Sequence, residues 1–244
     1  MTVQSFVYES ADAASVACAH KLLELLESAL ATQPRASLAV SGGSTPKRMF
    51  AEMAQSGFPW NNVHLFWVDE RCVPPTDSES NYKLAKDHFI DAAHFPAANI
   101  HRIQGELAPT EAANLYAADI RSFFAISASN PTPRFDVIHR GLGPDAHTAS
   151  LFPGEPLIDD HKNLAAAVYA EKFHQWRVTL LPAVLEAARH TLMLAAGADK
   201  ADPLHSVLHA AYDPKKYPAQ IGTYDGEGAI WFLDKAAAGT ALGS

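Results

Sequence analysis

The residues best suited to chemistry sit in one stretch, residues 141–154, which reads G-L-G-P-D-A-H-T-A-S-L-F-P-G. It follows an apolar run, Phe135-Asp136-Val137-Ile138, with the character of a buried strand, and it holds Gly141, Gly143, Asp145 and His147 before any apolar pattern resumes. Such a segment is poor core material. Glycines allow a sharp turn and a close backbone approach to a ligand. Asp145 and His147, two apart, have the chemistry of an orienting carboxylate and a proton-transferring imidazole at the mouth of a sheet. The plainer reading is a strand-to-helix turn with a surface histidine, since the chain has 12 histidines and most must be inert. The other loops decide between the two.

One of them has the chemistry of a phosphate cradle. Ser37-Leu38-Ala39-Val40 reads as a buried strand running into Ser41-Gly42-Gly43-Ser44-Thr45-Pro46, and Pro46 suits the first turn of a helix through Met49, Phe50 and Met53. Gly42 and Gly43 let backbone N–H groups converge, Ser44 and Thr45 add hydroxyls, and the helix start brings unpaired donors and partial positive charge. A simple helix cap is the alternative. Neither G-x-x-x-x-G-K-[ST] nor G-x-G-x-x-G occurs, so nucleotide cofactors have little support.

Two further loops carry charge. The apolar run over residues 63–68 ends in Asp69-Glu70-Arg71-Cys72, three charges beyond the carboxyl end of a strand, where open α/β sheets bind ligands. Arg71 is a natural phosphate fork, and Asp69 or Glu70 is placed to hold it or to handle protons. Cys72 beside an arginine is a minor candidate for an activated thiol, and a solvated loop of local ion pairs is the alternative for the whole segment. In Gly197-Ala198-Asp199-Lys200 the lysine opens a helix against the helix dipole, which invites an anionic ligand. Arg177 stands just ahead of a strand expected at 178–181.

These loops need a scaffold, and strand and helix signals alternate along the 244 residues. Helices are expected at 11–31, capped by Ser10 or Asp12, from 46, over residues 84–89 with Asp77 or Ser78 as cap, from Thr110 to 124, at 182–188 and around 204–208. Strands are expected at 37–40, 63–68, 100–103, 135–138, 164–169, 178–181, 191–196 and 230–233. The clearest turn is 129–133. This is the α/β class, read as a single domain over 1–238 with a frayed tail at 239–244. The net charge of -8 argues against a nucleic-acid partner and requires any anionic substrate to be drawn in by a locally positive pocket. Two cysteines without metal spacing speak against a disulfide framework and a zinc site. No run of about 18 apolar residues suggests a membrane span, and Met1-Thr2-Val3-Gln4 lacks signal-peptide character, so a cytoplasmic location is the default expectation.

Five strings, Ser41-Gly42-Gly43-Ser44-Thr45-Pro46, Trp67-Val68-Asp69-Glu70-Arg71, residues 145–154, Gly197-Ala198-Asp199-Lys200-Ala201 and Tyr217-Pro218-Ala219-Gln220, stand in order along the chain. In order and spacing they resemble the glucosamine-6-phosphate isomerase/6-phosphogluconolactonase family, on its 6-phosphogluconolactonase side, with H-T-A-S-L-F-P-G the most diagnostic. The resemblance implies one α/β domain with a mainly parallel, Rossmann-like sheet flanked by helices and the site at the strand carboxyl ends. It implies hydrolysis of 6-phospho-D-glucono-1,5-lactone to 6-phosphogluconate, the second step of the oxidative pentose phosphate pathway, with no metal or organic cofactor and a small sugar-phosphate lactone as the small-molecule partner of a monomer or small homo-oligomer. His147 would be the general base and Asp145 would set its tautomer. The phosphate would lie against Gly42, Gly43, Ser44 and Thr45, with Arg71, Lys200 and Arg177 as counter-charges and Asp69 alongside. An amino-sugar-phosphate deaminase/isomerase, whose loop runs closer to D-G-H-I-A-F-N-E-P, and a sugar-phosphate-binding regulator without chemistry are the alternatives.

Two features depart from the family pattern: Ala146 replaces a usual glycine, and His139 and Arg140 replace aliphatic residues. Were position 146 at positive φ, alanine there would cost roughly 1–2 kcal/mol. An unpaired guanidinium is not stable in a core, so Arg140 is expected to brace against Asp69 or Glu70, to reach the ligand, or to point to solvent.

Overall fold

The structure, a computed structural model, describes residues 4–127, 132–224 and 228–239. The turn expected at 129–133 lies largely, and the expected tail at 239–244 almost wholly, outside the described residues.

Strand β1 (Gln4–Tyr8) leads into α1 (Ala11–Leu30), whose N-cap Ser10 accepts from the Ala13 N–H, while Asp12 sits in the first turn where its charge suits the dipole. After it come β2 (Ala36–Val40), α2 (Pro46–Gln55), β3 (Val63–Trp67), β4 (Asp69–Arg71), α3 (Asn81–Ala85), β5 (Ile100–His101) and α4 (Pro109–Phe123). Then follow β6 (Val137–Gly141), β7 (Ala165–Ala170), β8 (Gln175–Leu180), α5 (Pro182–Ala187), β9 (His190–Ala195), α6 (Ala201–His209), β10 (Ala229–Asp234) and α7 (Lys235–Ala238). Strands β2 and β10 are buried at every position, which is why they read as unbroken apolar runs rather than as alternating ones.

Seven strands form one sheet in the order β1-β10-β9-β6-β2-β3-β5, and every pairing in it is parallel. From β2 the chain builds outward through β3 and β5; from β6 it builds the other way through β9 and β10. The order therefore reverses between β2 and β6, and the loops that leave their carboxyl ends part there, opening the crevice that such sheets use for ligands. One face of the sheet packs against α1 and α2, with Leu22, Leu26 and Phe50 fully buried; the other carries Phe66, whose ring packs against Tyr116 and Phe123 of α4, and a smaller cluster of Met193, Trp231, Leu204 and Val207. Among the described residues no helix is long and apolar enough to cross a membrane.

Local expectations needed correction at two places. Residues 69–71 are not a loop but β4, the edge of a second, antiparallel sheet in the order β4-β8-β7. The three charged side chains hid this, because strand signals in a sequence are apolar ones. The cap of α3 is Ser80, whose hydroxyl accepts from the Lys83 N–H, and not Asp77 or Ser78; the helix lasts five residues before a π turn over Lys86–Ile90.

Candidate active site

A cavity of about 220 Å³ lies at the carboxyl ends of β2, β3, β6 and β9. It is lined by Gly42, Gly43, Ser44, Thr45, Asp69, Arg71, His147, Arg177 and Lys200, so the structure gathers every expected site residue into one place except Asp145, which stands behind His147.

The loop after β6 is folded around the imidazole. Gly143 donates its N–H to the His147 carbonyl at 2.8 Å, Ala146 donates to the Gly143 carbonyl at 3.0 Å, and the Thr148 hydroxyl donates to the Gly141 carbonyl at 3.1 Å. His147 Nδ1 is hydrogen-bonded to Asp145 Oδ1, which assigns the proton to Nδ1 and leaves the lone pair on Nε2. Burial opposes ionisation of Asp145, but the hydrogen bond and charge of His147, with Lys172 Nζ at 3.3 Å from Oδ2, outweigh it and hold the carboxyl well below its ordinary value. The Phe152 ring packs on the imidazole with centroids 4.6 Å apart. Lys172 had no signal in the sequence, and Phe152, although part of the diagnostic string, was given no role there, since each acts through contacts that only the folded loop makes.

Ala146 is at φ 65°, and Ala149 at φ 55°, so the conditional cost of alanine at 146 applies. Gly141 and Gly143, by contrast, are not among the residues at positive φ. Gly143 serves another need: a Cβ there would overlap the His147 ring.

The glycine loop ends in the N-terminus of α2, where Thr45 is helical and makes no side-chain cap, and Thr45 and Pro46 line the cavity. Gly43 is at φ 105°, and a Cβ on Gly42 would overlap the Asn81 side chain. Asn81, which the sequence marked for no role, lines the cavity and donates from Nδ2 to the Asp69 carbonyl at 2.9 Å. Asp69 is itself buried and accepts from the Ser150 hydroxyl at 2.7 Å.

Strand β4 lies antiparallel to β8 with Asp69 opposite Thr179, Glu70 opposite Val178 and Arg71 opposite Arg177. Two arginines thus stand directly opposite one another across the strands, and both line the cavity. Burial lowers the Arg177 pKa; the charge of Asp69 opposes this and that of Arg71 adds to it. Arg177 stacks on Phe173, 4.7 Å from the ring centroid, and Arg71 donates from Nη1 to the Glu79 carbonyl. Lys200 pairs with Asp199 at 2.6 Å. Glu70 faces away from the cavity: it accepts from the N–H groups of Arg71, Asn81 and Tyr82 and from the Ser80 hydroxyl, and so tethers β4 to α3.

Cys72 is half-buried, and burial followed by the charge of Glu70 pushes its thiol up to about 11, so the activated thiol is withdrawn. All three expectations for Arg140 also fail. Its side chain leaves β6 on the face opposite His139 and Gly141, is fully buried, and donates from Nη2 to the Ile221 carbonyl at 2.8 Å; burial lowers its pKa to about 10. Neither Asp69 nor Glu70 meets it. The cavity is lined instead by His139. Among the described residues, no group of three or more His, Cys, Asp or Glu side chains is arranged to hold a metal ion.

The model of the glucosamine-6-phosphate isomerases/6-phosphogluconolactonase family matches residues 9–231. The chain is 36% identical over 210 residues to the 6-phosphogluconolactonase of Synechocystis sp., covering 86% of each chain. It is 38% identical over 205 residues to that of Haemophilus influenzae, covering 82% of this chain and 85% of the relative. The crystal structure of 6-phosphogluconolactonase from Thermotoga maritima superposes with a TM-score of 0.83 at 26% identity, covering 96% of this chain and 100% of that one.

Proposed function

The chain belongs to the glucosamine-6-phosphate isomerase/6-phosphogluconolactonase family, and on that premise we propose how its cleft hydrolyses 6-phospho-D-glucono-1,5-lactone to 6-phosphogluconate. The observation that carries the reading is the pairing of Arg71 with Arg177 across β4 and β8, in the same cavity as an imidazole backed by a carboxylate. Like charges directly opposite on a sheet are unfavourable, and a dianionic phosphate between them turns that repulsion into binding. The α2 N-terminus and Lys200 complete the anion site, which accounts for an acidic protein taking an anionic substrate.

With the phosphate held there, the lactone ring lies toward His147. Nε2 takes a proton from water as its oxygen adds to C1, and Asp145 stabilises the imidazolium through Nδ1–H. The tetrahedral intermediate collapses by breaking the bond from C1 to the ring oxygen, and the imidazolium returns its proton to that oxygen. One water is consumed and the imidazole is regenerated. The cytoplasm is the location that accompanies this reading.

The test is a coupled assay on freshly generated lactone. Wild-type protein is expected to turn it over, His147→Gln to lose at least about 100-fold in kcat with its fold intact, and Arg71→Ala to raise KM for the phosphorylated lactone while leaving unphosphorylated gluconolactone almost unaffected. Native turnover by the His147 variant removes the base from the mechanism. Ammonia release from glucosamine 6-phosphate would favour the deaminase side of the family.

A further inference from the structure

Ten buried side-chain nitrogen or oxygen atoms among the described residues have no hydrogen-bond partner, and six belong to cavity-lining residues: Ser41 Oγ, Arg71 Nε, Asn81 Oδ1, Arg177 Nε and both ring nitrogens of His139. The phosphate and its neighbours account for the arginines. His139 has no part in that reading, and it is the least ordinary of the group: its residue is 1% exposed, so bulk water does not serve it. A buried imidazole with neither nitrogen paired is costly, and an aliphatic side chain of similar volume at this position would be cheaper.

The strand register shows which way it faces. Along β6, His139 and Gly141 share one face and both line the cavity, whereas Arg140 between them points to the other face. The neighbouring strand end brings Ser41 alongside, its N–H donating to the His139 carbonyl at 3.1 Å and its own buried hydroxyl unpaired. Burial drives the His139 pKa down to about 3, so the ring is neutral in use, with one N–H donor and one nitrogen acceptor. A phosphate dianion offers only acceptors and can serve the ring N–H alone. A sugar hydroxyl can serve whichever ring nitrogen faces the cavity, accepting from the N–H or donating to the bare nitrogen, and its other hydrogen-bonding role falls to the unpaired Ser41 hydroxyl.

We propose that His139, with Ser41 beside it, is a specificity-determining residue that exchanges hydrogen bonds with one free hydroxyl of the sugar lactone. The proposal rests on the lactone-hydrolase reading above. A site built to pair a substrate hydroxyl rejects the analogue lacking it, because the site's own polar groups are then left unpaired.

The experiment compares kcat/KM of wild type, His139→Leu and His139→Gln on 6-phosphogluconolactone and on its 2-deoxy, 3-deoxy and 4-deoxy analogues. On the parent lactone, His139→Leu is expected to lose about tenfold or more, and His139→Gln, which keeps a donor and an acceptor, to recover part of that. On one deoxy analogue alone, wild type should fall by a similar factor and His139→Leu should fall no further. Thermal stability without substrate should not drop for His139→Leu, since the unpaired ring is replaced by an apolar group; if that variant does not fold, the same convergence is read from His139→Ala, which also cannot pair the hydroxyl. A His139→Leu enzyme within twofold of wild type on the parent lactone overturns the proposal. So does an equal loss on all four substrates, the mark of a residue that only shapes the cavity. Wild-type protein inactive on the parent lactone would instead refute the lactone-hydrolase reading, which keeps the two failures apart.

Discussion

His147 can face the cavity only because residue 143 has no side chain. The loop turns back on itself through the Gly143 N–H bond to the His147 carbonyl, which lays the imidazole against the Gly143 α-carbon. In Gly143→Ala the new methyl group must push the ring off Asp145, and a displacement of the order of 1 Å at a reacting group costs about 10²-fold. Steady-state kinetics should show that loss in kcat with little change in the melting temperature, because the strain is relieved by a side chain rather than by backbone. A native kcat in this variant would mean that the ring works from another position. The neighbouring departure is of a different kind. Ala146 tolerates φ 65° at a cost of roughly 1–2 kcal/mol, held there by its bond to Gly143 and by the Ala219 N–H, which donates to its carbonyl at 2.9 Å.

Between elements, the decisive joint is β4 to α3. A three-residue strand of charged side chains at a sheet edge has little apolar area to hold it, so its place depends on the Glu70 carboxylate and the four donors that converge on it. Glu70→Ala leaves those donors unserved in a buried setting, a loss of at least about 3 kcal/mol, equivalent to a fall of roughly 6–12 °C in melting temperature for a domain of this size. The same variant should raise KM for the phosphorylated lactone, because Arg71 loses its register with Arg177. Calorimetry and kinetics read the two effects separately; an unchanged melting temperature would show the joint to be dispensable.

For the molecule as a whole, one buried and one half-buried histidine contribute to the acid side of its stability. Burial lowers His139 to about 3, and lowers His64, which also feels His101 and Arg35 against Asp119, to about 4. In the unfolded chain both take up protons near pH 6.5. The folded state refuses them until its own lower values are reached, so between these limits the unfolded chain binds more protons. Stability from these groups is therefore fully present above about pH 6.5 and declines as pH falls, with a slope approaching 1.4 kcal/mol per pH unit for His139 and a smaller, solvent-screened one for His64. Urea melts of wild type and of His139→Leu between pH 7 and 4.5 should diverge, with the variant the less acid-sensitive. Parallel curves would mean that His139 is protonated in the folded protein.

Much of this was present in the residues themselves. Asp145 and His147 are two apart, and the glycine loop runs straight into its helix, so their chemistry is local and legible in one dimension; buried parallel strands announce themselves as apolar runs because both faces are covered. What lay beyond reading depends on distance and on parity. Arg71 and Arg177 are far apart in the chain, and only the register of β4 on β8 makes them a pair. His139 and Arg140 are adjacent and looked alike as polar intruders in a strand. The two-residue alternation of a strand sends one into the cavity and the other to the opposite face, and which goes where follows only once pairing with β2 and β9 has fixed the face that carries the site.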